Sequence, residues 1–125
     1  MYTLTISEEP SYLHAIATGT NNEEAVRGYL SDLLRECIER ECFRVLVEGR
    51  LEGPRVAFAK AFAIVEDGAR STFGKNMTFA YVDAYAGEDL MRFIEDVAVN
   101  RGMRLRVFPS VSDAKAWLTG ASAAT

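Results

Sequence analysis

Phe43-Arg44-Val45-Leu46-Val47-Glu48-Gly49-Arg50-Leu51-Glu52-Gly53-Pro54 restricts the fold of this chain more than any other stretch. Val45, Leu46 and Val47 form an unbroken apolar run with β-branched members, the pattern of a strand covered on both faces. Gly49 and Gly53 supply backbone freedom for a turn, and Pro54 suits the first turn of a helix, where its missing N–H would lack a partner anyway. Residues 55–70 then read as helix. Val56, Phe58, Phe62 and Ile64 suggest a period of two, but Ala57, Ala59, Ala61 and Ala63 favour helix strongly, and Phe58, Phe62, Val65 and Ala69 fall on one face at helical spacing. The expectation is an inner strand that turns through two glycines and a proline directly into a helix. In open α/β sheets such junctions, at the carboxyl ends of strands, are where ligands gather.

The remaining elements follow from periodicity and capping. Tyr2, Leu4 and Ile6 alternate with Thr3, Thr5 and Ser7 as a half-buried strand, Glu8-Glu9-Pro10-Ser11 is a turn, and residues 12–18 form a second strand, paired antiparallel with the first. His14 lies on it with no nucleophile or acid nearby in sequence, so a structural role is expected. Gly19-Thr20-Asn21-Asn22-Glu23-Glu24 starts a helix, with capping side chains and with acids that favour the positive end of the helix dipole. Val26, Tyr29, Leu30, Leu33, Leu34, Cys37 and Ile38 are its core-facing stripe, which runs to about Arg40. After the central strand and the alanine-rich helix come a Phe73-Gly74-Lys75-Asn76 turn and a strand over residues 77–84. A helix begins at Glu88 and Asp89 and buries Leu90, Phe93, Ile94, Val97 and Ala98; Gly102 ends it. Residues 104–108 form a last strand. Ser110 and Asp113 have capping-box spacing for a short helix that turns Ala114, Trp117 and Leu118 inward. Strands separated by single amphipathic helices should be parallel, with right-handed crossovers and the helices mainly on one face.

Composition narrows the functional classes. A chain of 125 residues with 49% hydrophobic content suits one domain with one core, here residues 1–118, with 119–125 as a flexible tail. The formal charge of −4 and the scattered Lys and Arg argue against nucleic-acid binding, which needs clustered cations on phosphates. The start lacks the pattern of a secretion signal and no apolar run approaches membrane-spanning length, so cytoplasmic residence is expected. Cys37 and Cys42 are the only cysteines; their spacing is not CxxC, and one histidine cannot complete a zinc site with them. No metal or cofactor is expected.

With these elements in order, the chain resembles the STAS domain family and its SpoIIAA-like relatives, which include anti-sigma-factor antagonists and stand-alone proteins. The resemblance covers nearly the whole chain and rests most on the central strand, turn and helix and on the ending Val107-Phe108-Pro109-Ser110-Val111-Ser112-Asp113-Ala114-Lys115-Ala116-Trp117-Leu118. It implies an α/β fold of the SpoIIAA-like βα superhelix type. Its sheet is mixed but mostly parallel, with about five strands and about four helices mainly on one face. The same fold underlies the CRAL-TRIO lipid-transfer domains. In the signalling members a phosphorylated hydroxyl sits in an Asp-Ser-Ser/Thr-Gly turn. The matching turn here is Leu51-Glu52-Gly53-Pro54, without a phosphoacceptor, and the nearest hydroxyls, Ser71 and Thr72, lie beyond the helix.

Three functions follow in order of preference. The first is a non-enzymatic cytoplasmic regulatory or protein-interaction module, not phosphoswitched at the usual turn, whose partner is another protein or its own copy as a homodimer. The second is a binder of a small apolar, lipid-like ligand, with Phe58, Phe62, Tyr81 and Tyr85 around a pocket. An enzyme comes last, because no nucleophile, base and orienting group cluster in the sequence, although Arg50, Glu52, Arg55, Asp83 and Tyr85 fall near the carboxyl ends of strands. The candidate binding residues are Glu52, Gly53, Arg55, Phe58, Asp83 and Tyr85.

Overall fold

The alternation of strand and amphipathic helix builds one five-stranded sheet in the computed structural model, which describes residues 1–71 and 76–120. The strands β1 (Tyr2–Glu8), β2 (Leu13–Thr20), β3 (Arg44–Glu52), β4 (Thr78–Asp83) and β5 (Arg104–Val107) lie side by side in chain order. β1 pairs antiparallel with β2, and every later pairing is parallel. Among the described residues there are four helices: α1 (Glu23–Glu39), α2 (Phe58–Arg70), α3 (Glu88–Asn100) and α4 (Val111–Leu118). The expected mixed, mostly parallel architecture is therefore the one found. Thr72 and most of the expected turn at residues 73–76 lie outside the described residues, as do residues 121–125 of the expected tail. Thr119 is still engaged, its hydroxyl donating to the Lys115 carbonyl at 2.9 Å.

The apolar run of β3 explains the layering. Val45 and Val47 pack with Leu13, Ala15 and Ala17 of β2 and with Tyr29, Leu33 and Cys37 of α1. Leu46 points the other way and packs with Ala80, Val82, Ala114 and Leu118, under α4. All three residues are at most 2% exposed. Burying an aliphatic side chain of this size contributes roughly 1.5–3 kcal/mol, so β3 anchors both layers. A third cluster joins Val65 and Ala69 of α2 to Ala98 of α3, Met103 and Leu105. α1, α2 and α3 thus share one face of the sheet, and α4 alone covers part of the other.

Local signals fix the element ends. The Asn22 side chain accepts a hydrogen bond from the Ala25 N–H at 2.8 Å and starts α1. Ser110 does the same for the Asp113 N–H at 3.1 Å and starts α4. Gly102, with φ of +86°, turns the chain out of α3 as a helix-ending glycine should. Ile38 departs from its assigned stripe: it is 39% exposed at the last turn of α1.

The central junction differs from its sequence reading. β3 does not stop at Gly49; it continues to Glu52, with Gly49 in register with Ala17 and Asp83. Only Gly53 takes a left-handed backbone, with φ of +106°. α2 begins at Phe58, not Arg55, and its N-cap is Ala57 with no side-chain cap. Residues 53–57 form a connecting segment, and Pro54 lies in it, outside the first helical turn. The cause is the Arg55 side chain, which folds back to bond the carbonyls of Leu51 and Gly53 and so holds the chain extended past the end of the strand. β2 is also longer than read and includes Gly19 and Thr20.

Candidate functional site

Helical spacing predicts a continuous apolar stripe on α1, yet Val26, Leu30 and Leu34 are only half-buried. The reason is a cavity of about 350 Å³ between α1, α2, α3 and the sheet. Leu30 and Leu34 of α1, Ile64 and Val65 of α2, Ile94 of α3 and Leu105 of β5 are among the residues that line it. Its volume lies at the lower end of the range for small-molecule sites, roughly 300–1,000 Å³. Arg27 of α1 and Asp67 of α2 also line it and pair at 2.8 Å, while Lys60 of α2 meets Glu23 of α1 at 3.2 Å. These exposed pairs join the two helices but contribute little to stability individually.

Toward the carboxyl ends of β3 and β4 the lining turns polar. Asp83, at the end of β4, accepts from Arg55 Nη1 at 3.2 Å on each carboxylate oxygen. The Tyr81 hydroxyl donates to the same carboxylate at 3.1 Å, and the backbone N–H groups of Tyr85 and Ala86 donate at 2.9 and 3.1 Å. The Tyr29 hydroxyl of α1 hydrogen-bonds that of Tyr81 in turn. Asp83 therefore ties α1, β4, the residues that follow β4 and the segment before α2 into one network. The Arg55 and Asp83 side chains are 16% and 9% exposed, so their charges interact away from bulk water.

The two phenols are neutral at physiological pH. Burial pushes Tyr29 up to about 12. Burial also holds Tyr81 well above the ordinary phenol range, and the neighbouring Tyr29 and Asp83 add to the effect. Gly49 makes room for this arrangement: a Cβ there would sit 3.4 Å from the Tyr81 hydroxyl oxygen.

The structure brings some of the expected site residues together and separates others. Arg55 and Asp83 meet at the cavity wall, and the Gly53 carbonyl accepts from Arg55 Nη2 at 2.9 Å. Tyr85 lies outside the lining, 53% exposed, with its ring 5.6 Å beneath the Arg55 guanidinium. Phe58 is 49% exposed and packs on Phe93 with ring centroids 4.9 Å apart, away from the cavity. Phe62 is not in the lining either; its ring carries the Arg101 guanidinium at 5.4 Å. Glu52 is exposed, and it is its carbonyl that is engaged, accepting from the Asn21 N–H at 2.7 Å. Of the four aromatics expected around a pocket, only Tyr81 lines the cavity.

Two groups escaped sequence reasoning. Tyr29 was indistinguishable from a core residue, since its spacing is that of the apolar stripe. On the opposite face of the sheet, His14 Nε2 lies 3.0 Å from Glu48 Oε1, and Arg50 pairs with the second carboxylate oxygen. Burial acts to raise the pKa of Glu48, but the hydrogen bonds with His14 and Arg50 outweigh it and hold the carboxyl below its ordinary value. The available signal was the i, i+2 spacing of Glu48 and Arg50, which places both on one face once β3 is extended. His14 is thus part of a partnered, largely buried cluster, in line with the structural role expected of it.

An open α/β sheet in chain order, an antiparallel first pair, three helices on one face and a closing helix on the other are the features of a SpoIIAA-like fold. The chain matches the crystal structure of an uncharacterized protein of the DUF3478 family, described as having a SpoIIAA-like fold, from Shewanella loihica PV-4. The TM-score is 0.57 at 18% sequence identity, over 94% of this chain and 93% of that one. No protein-family model matches the chain. No curated protein matches it either. Among the described residues, no helix is long and apolar enough to cross a membrane.

Proposed function

We propose that this SpoIIAA-like domain is a non-enzymatic cytoplasmic binding module that takes a small apolar molecule into the cavity between α1, α2 and α3. The observation that carries the reading is the cavity itself: about 350 Å³, lined almost wholly by aliphatic and aromatic side chains, with one polar end at Arg55 and Asp83. A well-formed apolar pocket with a few convergent polar groups is the usual form of a small-molecule site. The non-catalytic part of the reading is supported by the state of Asp83. That carboxylate is committed to a guanidinium, a phenol and two backbone N–H groups, which leaves it poorly placed to move a proton. The turn Leu51-Glu52-Gly53-Pro54 offers no hydroxyl, so regulation by phosphorylation at that place is not part of the proposal.

A second reading has its own observation. Phe58 and Tyr85 are each about half exposed, and the Arg55 guanidinium stacks over the Tyr85 ring. Exposed aromatics of this kind are enriched at protein interfaces, which favours a docking surface for a protein partner or a second copy beside the ligand site.

Native mass spectrometry of the protein after gentle purification tests the first reading. Retention of a lipophile that is released on denaturation supports it. A bare mass, together with no binding of added apolar probes, removes it. For the second reading, sedimentation velocity of the wild type and of Phe58→Ser should show self-association only in the wild type.

A further inference from the structure

A guanidinium carries five N–H donors in a fixed fork. In Arg55, Nη1 contacts both carboxylate oxygens of Asp83, and Nη2 contacts the carbonyls of Leu51 and Gly53. These contacts engage four of the donors. The fifth, the Nε–H, is buried and has no hydrogen-bond partner among the described residues, and Arg55 lines the cavity. A buried donor left unmade is costly, and one aimed at by a ligand oxygen recovers that cost.

The charge balance limits what that oxygen can belong to. Asp83 neutralises Arg55 at 3.2 Å, so the polar end has no net charge to offer an anion. Arg27, the other arginine in the lining, already meets Glu23 and Asp67. A carboxylate or phosphate entering here would lose its hydration beside an existing carboxylate, with no uncompensated cation to replace the water.

Given that the cavity is a binding site, we infer that its occupant is an uncharged molecule with an apolar body and one accepting oxygen, a ketone, ester or alcohol, whose oxygen takes the Arg55 Nε–H. The Arg55–Asp83 pair acts as a neutral hydrogen-bonding head and discriminates against fatty-acid-like anions of the same length.

Three probes of equal chain length separate this inference from the reading beneath it: n-octane, 2-octanone and octanoate at pH 7. Affinities are read from the methyl resonances of Leu30, Ile64 and Ile94 in the full chain. The expected result is that 2-octanone binds about tenfold or more tighter than both others, the ratio that one buried hydrogen bond supplies. In Asp83→Asn, which leaves Arg55 uncompensated, octanoate should gain on 2-octanone. If octane or octanoate binds the wild type as well as the ketone does, the assignment of the head group is overturned while the cavity stands as a site. If none of the three moves those resonances, the binding reading itself fails. The wild-type comparison stands whether or not the variant folds.

Discussion

The phenol of Tyr81 lies across Gly49 of the neighbouring strand, so that a β-carbon at Gly49 would stand 3.4 Å from the hydroxyl oxygen and 3.5 Å from Cε1. That separation is ordinary contact for one methyl group and too little for a branched side chain. Gly49→Ala should therefore change stability by less than about 1 kcal/mol, whereas Gly49→Val should cost about 1–3 kcal/mol through overpacking, despite the better strand propensity of valine. Urea denaturation of the two variants checks this. Equal midpoints for valine and alanine would show that Tyr81 is not held where the site requires it.

Arg55 and Asp83 should be energetically coupled. Removing either partner from a largely buried ion pair leaves the other uncompensated, so Arg55→Ala and Asp83→Ala are each expected to cost about 3 kcal/mol. The double substitution should cost less than the sum of the two by about 1 kcal/mol or more, as for side chains in direct contact. A double-mutant cycle from denaturation midpoints gives the coupling. Strict additivity would mean that the pair does not form in solution.

Glu48 makes stability depend on pH on the acid side. Its folded-state pKa lies below the ordinary glutamate value of 4.5, because its hydrogen bonds with His14 and Arg50 outweigh the effect of burial. A depressed folded pKa contributes stability that is fully present above the unfolded value and is lost as pH falls through the folded one. Unfolding midpoints measured from pH 6 down to pH 3 should thus fall more steeply in the wild type than in Glu48→Gln. Parallel slopes would remove Glu48 as a contributor.

The sequence made the layers legible but not the space between them. Val45, Leu46 and Val47 announced a doubly covered strand because an unbroken apolar run has few other uses, and the Asn22 and Ser110 caps could be read from single side chains. The length of β3 was misread because Gly49 and Gly53 look alike in sequence. One lies flat in the ladder, and only the other takes a left-handed backbone. Arg55 and Asp83 were marked as candidates from their places at strand ends, and their contact needed the fold. The cavity left no trace in periodicity: a stripe such as Val26, Leu30 and Leu34 shows which side of a helix avoids water, not whether another helix fills the space beside it. Phe58 and Phe62 illustrate the converse, since helical spacing gave them a shared inward face, yet Phe58 is half exposed against Phe93 and Phe62 packs under Arg101.

The most direct measurement is a crystal structure of the protein under xenon pressure, since dry apolar cavities take up xenon and polar, hydrated ones do not. Xenon is expected between α1, α2 and α3, against Leu30, Val65 and Leu105 and away from the Arg55–Asp83 end. A cavity that stays free of xenon, or one filled along its length by ordered water, would contradict the existence of an apolar binding site in this domain.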